Sequence, residues 1–447
     1  MKIMYHVGPW CVQQYKTIVK GIDENAQTLQ ISGFKKLDKS NLSNRYYELL
    51  KENKSKHFTL TELDNDIIKR CRLLRSLEEK EALLHLYSMR QSVKETFDSF
   101  NPELVVSETI DQYLMDLIFH ECNERNIPFV GLLVTFINGY YRISAKGENT
   151  YCRESTKDEI NQVIQMLTNK DYKPRFVINS SKNIYKSLLK KHIRNLIKIP
   201  YFSIKRLISS EKYNYHYWAT QKSSIDSFQL FPKIDIGDKD FLNKIQQSNK
   251  KKIFIPLQFF PEATIDYWCE ELDVIEYEIK LIEYLKKLSK DFLVVVKEHP
   301  NVTGLRKNSF YKKLLEVENL ILCPTNENSN FLINISDAVL VWTGSVGFEA
   351  ALRGKPVLTV TKPYYMYGKQ FMHININTDA NEILDFIKER TNVITKEEQE
   401  KLVAYVLNSF IPGKYINDAS WKLSNEKDVI DSLNIGRDIR NIYVQQK

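Results

Sequence analysis

Apolar positions along the chain fall into two alternating series, separated by a stretch that lacks such order. In the first series, residues 2–7 read as an opening strand, 27–31 and 58–63 as further strands, and 65–98 as a long helical region. The clearest unit follows. Asn101-Pro102-Glu103 breaks the chain, 104–106 form a strand, Ser107-Glu108-Thr109 a loop and 111–124 a helix, and Ile127-Pro128-Phe129 opens the next strand. Connections this short imply a βαβ unit and a parallel sheet. A second series starts at Lys251, with strands expected at 253–258, 292–297, 320–323, 338–341 and 356–360 and helices near 276–289, 309–316, 329–335 and 348–352. Helices at 380–390 and 396–409 and a polar tail complete it. The pattern predicts an α/β protein: a doubly wound domain over 1–175, a basic and aromatic linker over 176–249, a second doubly wound domain over 250–392, and C-terminal helices and tail over 393–447. Two such domains would hold a ligand in an inter-domain cleft at the carboxyl ends of their strands.

Length agrees, since 447 residues exceed what one core usually supports. No apolar run approaches the roughly 20 residues of a spanning helix, and MKIMYHVGPW lacks the layout of a secretion signal. A cytoplasmic location is expected, with attachment to the inner face of the membrane left open. The six cysteines are scattered, without a CxxC pair or a histidine at ligand spacing, and read as reduced thiols.

Charge changes the picture in one place. Residues 181–212 hold nine Lys or Arg against the single acid Glu211, so this segment alone accounts for the whole formal charge of +8. That argues against a nucleic-acid binder and for one local electropositive feature. Within it Ile184, Tyr185, Leu188, Leu189, Ile193 and Leu196 recur at helical spacing, with Lys186, Lys190, Lys191, Arg194 and Lys198 opposite, and Pro200 is expected to end the helix. Such a helix can lie on an anionic membrane where a lipid-linked acceptor is found, or can pack its apolar face on the protein.

Three loops of the second series fall at strand carboxyl ends: 257–264, Lys297-Glu298-His299-Pro300, and 343–347 followed by Glu349. In the last, Gly344 and Gly347 allow close backbone approach and unusual dihedrals, and a following helix aims N–H groups at an anion. An ordinary βαβ turn with a glycine C-cap at Gly354 reads equally well. His299 can donate to a phosphate oxygen or serve a structural role.

The sequences LQFFPEATID, VVVKEHPN and TGSVGFEAALRGKPVLTV, in this order, resemble bacterial capsule and surface polysaccharide biosynthesis proteins, including the capsular β-Kdo transferase group. The resemblance covers about residues 250–370. It implies a glycosyltransferase of GT-B architecture, with two Rossmann-like domains and the donor nucleotide on the C-terminal one. By likeness to the HP motif of bacterial GT-B sialyltransferases, His299 and Pro300, with Lys297, would hold the phosphate of a CMP-linked donor. Thr343, Gly344, Ser345 and Gly347 would complete the phosphate pocket, and Glu349 would accept from ribose hydroxyls. Gln258 stands where the family often carries histidine. Glu262 and Asp266, in the same turn, remain candidates to act on the donor sugar, although Glu262 is equally a helix cap.

Transfer needs a stabilised leaving group and, for direct displacement, a base on the acceptor hydroxyl. Glu108 is the first candidate base, with Asp111 and His6 behind it; Asp111 also fits a helix N-cap and His6 a core position. The DxD matches Asp64-Asn65-Asp66 and Asp238-Lys239-Asp240 fall at a helix start and in the linker, so metal-independent chemistry is expected, with no cofactor besides the nucleotide-sugar substrate. The favoured reading is transfer of Kdo or a sialic-acid-like sugar from CMP to a surface glycan or glycolipid. A UDP-sugar transferase, a teichoic-acid-type glycerophosphotransferase, a non-hydrolysing UDP-sugar 2-epimerase and a non-catalytic assembly or export accessory remain open.

Overall fold

The structure is a computed structural model and describes residues 1–169, 172, 174, 181–208, 211–228, 236–391, 394–416 and 425–443. Parts of the expected linker and of the C-terminal tail lie outside the described residues. The strands are β1 (Lys2–His6), β2 (Gln27–Ile31), β3 (Leu104–Glu108), β4 (Phe129–Val134), β5 (Tyr140–Ile143), β6 (Lys252–Pro256), β7 (Leu293–Lys297), β8 (Leu320–Cys323), β9 (Ala338–Val341), β10 (Val357–Thr359), β11 (Phe371–His373) and β12 (Phe410–Pro412). Among the described residues they form two sheets of six, and the chain divides into two compact units. Met1–Arg153, Phe202–Thr220 and Asn408–Lys447 make the first, Glu154–Tyr201 and Gln221–Leu407 the second. The units therefore interleave in sequence, where the pattern suggested consecutive segments.

In the first unit the order is β12-β5-β4-β3-β1-β2, parallel from β4 to β2, with β5 and β12 added antiparallel. Alternation along each strand feeds two cores. Ile3, Tyr5, Leu104 and Val106 pack with the helices Val12–Ile22 and Glu426–Tyr443, while Met4 and Val105 face the opposite side with Glu79–Phe100 and Tyr113–Glu124. Gly21 and Gly436 let the first pair of helices touch through their backbones, because a Cβ on either would strike the other helix's main chain.

The second unit is a parallel sheet in the order β8-β7-β6-β9-β10-β11, which renumbered within the unit is 3-2-1-4-5-6, the doubly wound dinucleotide-binding arrangement. Its strands read as apolar runs because both faces are covered; Ile253, Phe254, Ile255, Val294, Val295 and Val296 are all buried. Strand order reverses between β6 and β9, so the loops after them flank the crevice where such sheets bind ligands. The α/β reading with two Rossmann-like domains holds.

Several local expectations do not. Residues 58–63 form no strand: the Thr61 hydroxyl accepts from the Asp64 N–H and the Asp64 carboxylate from the Thr61 N–H, a capping box that starts the helix Glu62–Arg70. The long helical region is interrupted between Cys71 and Glu78, yet Ile67, Cys71, Leu73, Leu74, Ala82 and Leu86 feed one core, which is why the apolar rhythm runs through the break. Asp111 is not the N-cap of Tyr113–Glu124; Gln112 holds that position. Pro200 lies inside the helix Ser181–Ile208 rather than at its end. The expected polar tail contributes β12 and an 18-residue helix. Both DxD motifs are engaged structurally, Asp64 with Arg90, Asp66 with Arg70, and Asp238 with Lys244. No described helix is long and apolar enough to cross a membrane.

Candidate functional site

The three loops of the second unit are tied together by side chains. Gln258, just after β6, accepts at Oε1 from the Thr343 N–H at 3.2 Å and donates from Nε2 to Thr343 Oγ1 and to Thr264 Oγ1. Its own N–H donates to the Tyr277 hydroxyl at 2.9 Å, and its carbonyl accepts from Arg306 at 2.9 Å. Gln258 is thus a strut between the loops after β6 and β9.

Arg306 carries the connection to the loop after β7. Its guanidinium also donates to Glu298 at 2.8 Å and to Glu278 at 2.7 Å, and Glu298 further accepts from Tyr311 Oη and the His299 N–H, each at 2.6 Å. Arg306 and Glu298 are both buried. Burial pushes the Glu298 carboxyl up, but Arg306, Tyr311 and the His299 N–H outweigh it and hold the group below the usual carboxylate range.

His299 is fixed by this hub. Its Nδ1 accepts the Asn301 N–H at 3.2 Å, which makes Nε2 the protonated nitrogen, and Phe259 stands edge-on with ring centroids 5.8 Å apart. Burial, with Lys297, Arg306 and Lys191 adding to it against Glu298, pushes its pKa down to about 4. The ring is therefore a neutral donor at physiological pH. Pro300 accepts from Thr303 through its carbonyl, and Lys297 reaches Ser329 at 3.2 Å.

The loop after β9 corrects one expectation. Neither Gly344 nor Gly347 has a positive φ. A Cβ on Gly344 would meet nothing within 4 Å, whereas one on Gly347 would lie 2.7 Å from Tyr365 Oη and 2.8 Å from Val341 Cγ2. Gly347 is required by packing; Gly344 presents an open backbone face. Gly347→Ala is accordingly expected to lower stability by about 1–3 kcal/mol, read as a drop in melting temperature, from overpacking. Ser345 occupies the N-cap of the seven-residue helix Val346–Leu352 without a side-chain capping bond. The glycine C-cap is present: Gly354 has φ 74°, and the Gly354 and Lys355 N–H groups donate to Ala351 and Ala350. Glu349 is buried, and burial pushes its pKa up to about 7 against the pull of Arg353. Glu262 sits at an N-cap but accepts from the Thr264 hydroxyl at 2.7 Å instead of a helix N–H, and Asp266 is fully buried.

In the first unit Glu108 ends β3 and accepts from Trp10 Nε1 at 2.9 and 3.1 Å. Burial, then the nearby charge of Asp111, pushes its pKa up to about 7. The Trp10 ring lies tilted against His216 with centroids 4.9 Å apart, and His216 meets Phe34 at 5.5 Å, so an aromatic wall borders the carboxylate. His6 is a core residue, buried beside Ser107 and pushed down to about 4 by desolvation. Sequence reasoning missed Arg306, Tyr311, Trp10 and His216. Among the described residues no three His, Cys, Asp or Glu side chains converge as a metal site.

Residues 169–368 match the capsule polysaccharide biosynthesis protein family. The match spans just under half of the chain, includes all three loops, and bears out the resemblance carried by their motifs. No curated protein matches the sequence. Among solved structures, the β-Kdo 2,7 transferase KpsC of Thermosulfurimonas dismutans is similar over 97% of this chain and 99% of its own at 13% identity, with a TM-score of 0.39. The β-Kdo 2,4 transferase of the same KpsC covers 74% and 87% at 14% identity and 0.33. UDP-GlcNAc 2-epimerase of Neisseria meningitidis, bound to UDP-GlcNAc, covers all of both chains at 13% identity and 0.25.

Proposed function

We propose that the chain is a glycosyltransferase of capsule or related surface-glycan synthesis, moving Kdo or a sialic-acid-like sugar from a CMP donor to a glycan or glycolipid acceptor. The observation that supports this best is the joining of three strand-end loops at the switch point of a dinucleotide-type sheet, with a neutral, rigidly held His299 among them. In this reading His299 Nε2–H donates to a phosphate oxygen of the departing nucleotide, and the N–H groups of 343–347 share that charge. A neutral donor fixed in advance needs no reorganisation as the charge develops, which is where such sites gain most of their rate. Glu349 accepts from the ribose hydroxyls. Glu108 takes the proton of the acceptor hydroxyl, its raised pKa suiting a base that works near neutral pH. No metal step is required in this scheme; loss of transfer in EDTA, restored by magnesium or manganese, would overturn that part of it.

A thermal-shift panel of CMP, CDP, UDP and GDP tests the donor. CMP alone is expected to raise the melting temperature, the gain corresponding to about 2.7 kcal/mol at a hundredfold excess over Kd. His299→Ala is expected to abolish the shift. A preference for UDP, or conversion of a UDP-sugar without any acceptor, would sink the CMP-transferase reading.

A further inference from the structure

The helix Ser181–Ile208 packs in an unusual sense. Leu188 is buried against Gly304, where a Cβ would lie 2.7 Å from Leu188 Cδ2; Lys191 Nζ donates to the Asn301 carbonyl at 3.0 Å; and Asn195 bonds Ser227 Oγ at 3.0 Å. At about 100° per residue these three share one side. Leu189, Ile193, Leu196 and Ile197 lie on the other side and are 52–65% exposed. Ile204, Leu207 and Ile208, further along the same helix, are exposed as well. A helix on a globular protein normally turns its apolar stripe inward. Here only Leu188 of the expected arc does so among the residues whose side chains are described; those of Ile184 and Tyr185 lie outside them.

The sequence pattern puts the cations opposite the apolar arc, but with the outward stripe shifted to Leu189, Ile193, Leu196 and Ile197, Lys186 falls within it and Lys190 and Arg194 along its edge, all three exposed. Lys191 is committed to the loop that carries His299, and Lys198 is half-buried, so neither belongs with them. The choice of occupant follows from charge. A second copy of this chain on the same face would bring two strongly basic segments together, since 181–212 carries nine cations and one acid. An anionic lipid surface complements both features, accepting aliphatic side chains below its headgroups and cations at its phosphates.

We propose that this outward face docks the protein on an anionic bilayer, with Leu189, Ile193, Leu196 and Ile197 entering the boundary between headgroups and acyl chains and Lys186, Lys190 and Arg194 meeting lipid phosphates. The proposal stands independently of the donor assignment. Co-sedimentation with phosphatidylcholine vesicles, with and without phosphatidylglycerol, tests it. Binding is expected only to the phosphatidylglycerol vesicles and is expected to weaken as salt rises. The combined Lys186→Gln, Lys190→Gln and Arg194→Gln variant is expected to bind about a hundredfold more weakly. Combined Leu189→Ser, Ile193→Ser and Ile197→Ser is expected to remove binding while leaving the melting temperature unchanged, and Lys191→Gln to bind as the parent does. Absent vesicle binding, full binding by the serine variant, or a dimer that the serine substitutions split in light scattering without any vesicle binding would each overturn it.

Discussion

Arg306→Met is expected to lower the unfolding free energy by about 3–5 kcal/mol, seen as a lower urea midpoint, because removing one partner of a buried ion pair leaves the other uncompensated. The stranded group is Glu298, fully buried and held through Arg306, Tyr311 and the His299 N–H. Adding Glu298→Gln is expected to recover much of the loss, as a neutral amide needs no counter-charge there. The pH dependence gives an independent check. In the parent, the folded pKa of Glu298 is depressed, so its contribution is present above the unfolded value of about 4.3 and is lost as pH falls through the lower folded one. Without Arg306 burial dominates and the folded pKa rises above the unfolded one. Its contribution is then present only at low pH and lost as pH rises, so the gap between variant and parent should be smaller at pH 5 than at pH 8. An equal gap at both would show that Glu298 is not the stranded charge.

Glu108→Gln is expected to reduce transfer by about 10²–10⁴-fold. In the parent the rate should rise with pH and level off above about 7, since only the ionised carboxylate takes a proton and burial holds its pKa near that value. The glutamine variant should lose this limb of the profile. Stability should move in the opposite direction. A folded pKa raised above the unfolded one means that stability is present below the unfolded value and lost as pH rises through about 7. A neutral glutamine escapes that loss and still accepts from Trp10, so the inactive variant should melt higher than the parent at pH 8. A variant that is both fully active and unchanged in stability would remove Glu108 from the mechanism.

Five of the six strands and the three loops of the second unit were legible because each carries its information locally; the three-residue β11 was not. Apolar runs such as Leu293–Lys297 mark a strand covered on both faces, and Lys297-Glu298-His299-Pro300 sits at its end without an intervening segment. The ties between the loops were not legible. Arg306 and Tyr311 reach Glu298 across a turn whose path no periodicity encodes, and Gln258 meets Thr343 only because β6 and β9 are neighbours at the switch point. The same limit applies to Trp10 and His216 around Glu108, which lie far apart in sequence. The basic helix shows a third kind of shortfall. Its pattern revealed an apolar arc, but the side facing the protein is set by where Gly304 and Asn301 lie, and that side takes Leu188 and Lys191 and leaves Leu189 and Ile193 outside.

The short strand β12 and the helix Glu426–Tyr443 bear on the order in which the chain assembles. β5 finds its outer partner, and the helix Val12–Ile22 its glycine-mediated neighbour, only in residues made after the entire second unit. During synthesis the second unit can close around its own sheet while residues 1–153 still present an open edge and an uncovered apolar face. Such surfaces are where incomplete chains associate wrongly. Residues 1–153 are thus the part of this sequence whose burial is finished last.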